Sequence, residues 1–90
     1  MFVGDLNYFV TTTSDTASEG AGRLWGYVMI GNGTNQGSVS FSDGNKEIWA
    51  DSVSATAGDV ARYTFPHGLK FSTNLLIGIT TASKVAVIFE

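Results

Sequence analysis

Apolar and polar residues alternate with a period of two along most of this chain, and no stretch shows the 3.6-residue period of an amphipathic helix. Ser38-Val39-Ser40-Phe41-Ser42 alternates hydroxyl and apolar side chains without exception. Val60 to Phe65 puts Ala61, Tyr63 and Phe65 on one face. Leu75-Leu76-Ile77-Gly78-Ile79-Thr80 is apolar on both faces, and Lys84-Val85-Ala86-Val87-Ile88-Phe89 closes the chain with β-branched and aromatic residues. Turn formers separate these runs: Gly31-Asn32-Gly33, Asp43-Gly44, Ala57-Gly58-Asp59, Pro66-His67-Gly68 and Ser72-Thr73-Asn74. Their spacing is that of an all-β sandwich or barrel. The pattern predicts strands near 6–12, 22–30, 38–42, 46–52, 60–65, 69–72, 75–81 and 84–90. The expected fold is a single small antiparallel β-sandwich of about eight strands, jelly-roll-like, spanning 1–90. Val39, Phe41, Leu69, Phe71, Leu75, Ile77, Val85 and Val87 are expected to fill its core. Thr13 to Gly22 is small and polar, and reads as a mobile loop that orders only against a partner.

One strand departs from the one-dry-face rule. In the segment 22–30, strict alternation places Leu24, Val28 and Ile30 on one face and Trp25, Tyr27 and Met29 on the other. A sandwich strand buries one face and wets the other, so large apolar residues on both faces imply that the second meets another molecule or, alternatively, is covered by a loop of the same chain such as 13–21. Aromatic residues and Met are enriched at interface centres. Trp25, Tyr27 and Met29, with Trp49, are therefore the expected interface, most simply with copies of the same chain in a homo-oligomer, a trimer first. Alternation does not say which face is inside, so the reverse assignment stays open.

Composition sharpens this picture. Only 14% of the 90 residues are charged, against about 25% in an average soluble chain, while Gly, Ser and Thr abound. The net charge of −3 lacks the basic surplus that nucleic-acid binding needs. No apolar run approaches the roughly 20 residues of a membrane span, and the start, Met1-Phe-Val-Gly-Asp-Leu6, has no basic secretory signature. The chain reads as a cytoplasmic product. Without cysteine there is no disulfide framework and no thiolate metal site.

The candidate chemistry is thin. His67 sits among turn formers, with no Gly-x-Ser-x-Gly nucleophile in the chain to serve. Gly31 to Gly37 has Gln36 where a dinucleotide motif needs Gly, and it leads into a strand rather than a helix. Ser42-Asp43-Gly44-Asn45-Lys46 lacks the further acidic ligands of a calcium loop and is explained by a two-residue hairpin turn at Asp43-Gly44. Asn32-Gly33-Thr34 matches a glycosylation sequon, which carries no weight without a secretory signal. No catalytic, cofactor or metal residues are assigned, and enzymatic activity is not expected. The aromatic residues Trp25, Trp49, Tyr8, Tyr27 and Tyr63 leave room for a carbohydrate-binding module, in which exposed rings stack on sugars.

Three segments carry a resemblance: Gly37-Ser38-Val39-Ser40-Phe41-Ser42-Asp43-Gly44, then Phe65-Pro66-His67-Gly68-Leu69-Lys70-Phe71-Ser72-Thr73-Asn74-Leu75, then Ala82-Ser83-Lys84-Val85-Ala86-Val87-Ile88-Phe89. Together, over roughly 24–90, they resemble small β-sandwich virion structural proteins of tailed bacteriophages. Asn74 stands where that family has a second Gly. The resemblance implies a virion location and partners in the major capsid protein or the tail proteins. It implies a capsid decoration or cement protein that stabilises the head lattice, or alternatively an accessory part of a tail or fibre.

Overall fold

A computed structural model describes residues 6–31, 33, 35–54, 59–80 and 84–90. Eight strands run β1 (Asn7–Thr11), β2 (Asp15–Ser18), β3 (Gly22–Ile30), β4 (Gly37–Asp43), β5 (Lys46–Val53), β6 (Val60–Phe71), β7 (Leu75–Thr80) and β8 (Lys84–Phe89). They form two antiparallel four-stranded sheets, ordered β1-β8-β3-β6 and β2-β7-β4-β5. The pairings β1–β8, β2–β7, β3–β6 and β4–β5 describe one long hairpin, folded so that its successive segments fall in opposite sheets. This is the jelly roll, a sandwich with each sheet facing the core on one side.

The tip of that hairpin lies between β4 and β5. Asp43 pairs with Lys46, so the two-residue loop is Gly44-Asn45, with Gly44 at φ +65°. The turn thus sits one residue later than Asp43-Gly44. Asp43 closes strand β4, and its carboxylate accepts the backbone N–H groups of Ser72 and Thr73 at 2.8 Å each and of Asn74 at 3.4 Å. The Asn74 amide oxygen in turn accepts the Gly44 N–H at 2.7 Å. Two turns from opposite halves of the chain are locked together, which accounts for Asn rather than Gly at 74. The N–H donors, Ser72 foremost, hold the Asp43 carboxyl below its ordinary range.

The core lies between the sheets. Seven of the eight expected core residues are buried, and Leu69 packs partly buried against them. Leu24, Tyr27, Met29, Val53, Phe65 and Phe89 complete the core. Tyr27 and Met29 are therefore not on an outer face, and the expected grouping of Trp25, Tyr27 and Met29 does not form. A β-bulge is the reason. Between Leu24↔Phe89 and Gly26↔Ile88, β3 advances two residues while β8 advances one. Trp25 is the extra residue. The alternation reverses there, so Leu24 before the bulge and Tyr27 and Met29 after it all point inward. Val28 and Ile30 point outward, so neither assignment of faces by strict alternation holds along the whole strand.

Two other expectations change. The segments 60–65 and 69–72 belong to one strand, β6, because Pro66-His67-Gly68 forms an irregularity within it rather than a turn between strands. Gly68 there has φ +72°, and a Cβ on it would come within 3.0–3.3 Å of Arg23 and Trp25. The segment 13–22 contains β2, whose backbone pairs with β7 and whose Ala17 packs on the core. Backbone pairing holds this polar stretch, so apolar content understated its order. Residues 1–5, 32, 34, 55–58 and 81–83 lie outside the described residues, and with them the chain start, the sequon and parts of two expected turns.

Candidate interaction surface

The outward positions of β1-β8-β3-β6 form cross-strand rows. Tyr8, Ile88, Gly26 and Thr64 make one, Val10, Ala86, Val28 and Arg62 the next, and Lys84, Ile30 and Val60 the third. Leu6 extends the set beyond the start of β1. Tyr8 is 73% exposed, Val10 55%, Val60 and Leu6 46% each and Ile30 40%. These are five of the six large apolar residues that are exposed among the described residues. The polar exceptions, Arg62, Thr64 and Lys84, lie on the edge strand β6 or at the start of β8. Gly26 has no side chain to fill its row, and a hollow of about 230 Å³ opens there, walled by Tyr8, Val28, Arg62 and Ile88.

The outer face of β2-β7-β4-β5 is of the opposite character. Ser52, Ser38 and Thr80 form one row, Ala50, Ser40 and Gly78 another, and Glu47, Ser42 and Leu76 a third. The Ser38 and Thr80 hydroxyls bond to each other at 2.7 Å, and the Ser40 hydroxyl fills the space where a Cβ at residue 78 would stand. One side of the sandwich is thus hydroxylated and the other apolar, and the apolar side is the candidate interaction surface.

A second aromatic group closes the open side of the sandwich between β5 and β6. Trp49 stacks on Tyr63 with centroids 5.0 Å apart, and both meet Phe65 edge-on at 4.9 Å. The Tyr27 hydroxyl donates to the Asp51 carboxylate and accepts from Trp49 Nε1–H at 2.8 Å. Burial first, then the bond to Asp51, pushes the Tyr27 pKa up to about 12. Tyr27 is therefore a neutral donor that holds β5 to β3 across the core. Trp49 is half-buried in this cluster rather than displayed.

Of the four expected interface residues, the structure brings the buried Tyr27 and the half-buried Trp49 together through a hydrogen bond and leaves Trp25 half-buried over Gly68, its indole N–H buried without an acceptor. Met29 is remote from the surface. The apolar face is made instead by Tyr8, Val10, Val28, Ile30 and Val60. The trace of it in the sequence is Leu6-Asn7-Tyr8-Phe9-Val10, where every second residue is large and apolar but Phe9 between them is too. Arg23 donates to the His67 carbonyl at 3.0 Å, so the lone histidine serves through its backbone. Among the described residues no cluster of three or more His, Asp or Glu could hold a metal ion. No family model and no curated protein sequence matches this chain.

Proposed function

We propose that the protein is a structural component of a bacteriophage virion, a decoration or cement protein that docks on the head lattice through the outer face of β1-β8-β3-β6. One observation carries the reading: an exposed apolar sheet face opposite a hydroxylated one, in a domain whose polar groups hold its own turns and strands. Covering a half-exposed Val or Ile gains roughly 1 kcal/mol. Several such side chains per copy, repeated over many copies, make a firm attachment from weak contacts. The resemblance of residues 24–90 to phage virion proteins supplies the setting. The jelly roll serves capsid and lectin domains alike, so topology by itself does not choose between them.

Purified particles test this. A decoration protein is present as a 9.5 kDa band in hundreds of copies, a tail or fibre accessory in few. The pair Val28→Ser and Ile30→Ser should leave the thermal melt of the free protein nearly unchanged and remove it from particles. Absence of the wild-type band from particles rejects the reading. The carbohydrate-binding alternative rests on the Trp49–Tyr63 stack, in which Tyr63 is 44% exposed. Glycan-dependent loss of binding in Tyr63→Ala, with Val28→Ser unaffected, would favour it instead.

A further inference from the structure

A sandwich of two open sheets has four edge strands, here β1 and β6 in one sheet and β2 and β5 in the other. An edge with free N–H and C=O groups invites another strand, and proteins blunt such edges with charge, Pro, bulges or brevity. Three of the four are blunted. β6 carries Pro66, Arg62, Lys70 and its irregularity at 65–68. β5 carries Lys46, Glu47 and Asp51 and a register shift opposite Phe41 and Ser42. β2 has four residues, one of them Asp15, and a register shift of its own. β1 has no charge, no Pro and no bulge. Its five residues, Asn7-Tyr8-Phe9-Val10-Thr11, are uncharged and free of Pro, and pair with β8 in unbroken register. On its other side no strand pairs with it among the described residues.

We propose that β1 is a self-pairing edge, and that two copies join antiparallel through it into one continuous eight-stranded sheet. A second copy fits because the strand is complementary to itself. Antiparallel pairing about Phe9 sets Asn7 opposite Thr11 of the second copy and Tyr8 opposite Val10, with no charge anywhere in the ladder. A slip of one residue would set an outward side chain against an inward one, so the centre at Phe9 uses the whole strand. With one unblunted edge per copy among the described residues, the contact is two-fold and closes at the dimer, in place of the trimer expected from the sequence. The apolar face stays uncovered and doubles in extent. A five-residue ladder buries less than the roughly 1,200 Å² of a stable interface, so the pair is concentration-dependent in solution and gains from the high local density of a lattice.

The chain has no cysteine, so single cysteines report the register directly. Under oxidation, a mixture of Tyr8→Cys and Val10→Cys chains should form a disulfide-linked dimer that neither variant forms alone. By equilibrium sedimentation the wild type should approach twice the monomer mass as its concentration rises. The double variant Tyr8→Lys/Val10→Lys should stay monomeric with an unchanged melt, and regain dimers when mixed with Tyr8→Glu/Val10→Glu. A wild type that stays monomeric up to millimolar concentration, or a dimer indifferent to these charges and cysteines, overturns the proposal. A monomeric protein that still decorates particles overturns it while leaving the head-lattice reading intact. A dimer absent from particles does the reverse.

Discussion

Tyr27 and Asp43 are polar residues that hold distant segments together, and each ties stability to pH in its own direction. Tyr27 ordinarily ionises near pH 10 and in the fold near 12. Its contribution is complete below pH 10 and is lost as pH rises from there through 12. Tyr27→Phe leaves Asp51 and the Trp49 indole without their shared partner, which should cost about 1–3 kcal/mol at neutral pH, and should flatten the alkaline fall in melting temperature. Asp43 lies below its ordinary range, and so does Asp59, which accepts the hydroxyl and N–H of Ser54. Their contributions are complete above the ordinary carboxylate range, about pH 4, and are lost as pH falls through the lower folded values. A series of melts from pH 6 to 2 should therefore descend, and Asp43→Asn should descend less steeply. In the core, Phe71 is fully buried, and Phe71→Ala should cost about 3–5 kcal/mol, enough to unfold a domain this small at modest temperature. A melt within a few degrees of wild type would contradict its placement.

At the scale of elements, the two irregularities of β3 and β6 do the most to shape the surface. Trp25 reverses the facing of β3, and the 65–68 segment of β6 accommodates it, with Gly68 beneath the Trp25 ring. Gly68→Ala would strain a left-handed backbone and push on Arg23 and Trp25 together, a loss of about 1–3 kcal/mol readable in urea unfolding. An unchanged midpoint would mean the bulge has room. These elements also mark where sequence reading stops. Val39-Phe41, Leu75-Ile77 and Val85-Val87 sit in strands whose alternation is unbroken, and Phe71 follows the irregularity of β6 in step with Leu69, so their burial is legible residue by residue. A bulge adds one residue without any composition of its own, and beyond it the alternation of β3 assigns each side chain to the wrong face. Pro66-His67-Gly68 serves a bulge as readily as a turn. Asp15-Thr16-Ala17-Ser18 has one apolar residue, and only its pairing with β7 makes it a strand. The candidate surface is hidden for the same reason: Val28 and Ile30 are large hydrophobic residues like Tyr27 and Met29, and the bulge alone decides which pair faces outward.

Considered whole, the molecule pairs residues from opposite ends, such as Asn7 with Phe89. Loops this long must close before their contacts form, so folding should be slow for a domain of 90 residues, in the range of milliseconds to seconds typical of non-local β folds. Stopped-flow refolding followed through Trp49 would check this, and microsecond folding would be inconsistent with it. The order of pairing has a further effect on how the chain can be made or divided. Every ladder joins one of the first four strands to one of the last four. A nascent chain that has emerged only as far as Asp43 therefore has no native ladder available to it, and exposes its strands unpaired until the second half follows. Cutting between Gly44 and Asn45 should yield two fragments, each disordered alone by circular dichroism, that recover the sandwich on mixing. The protein is in effect a complex of two halves that happen to share a covalent bond, and it could be split there as a reporter of proximity.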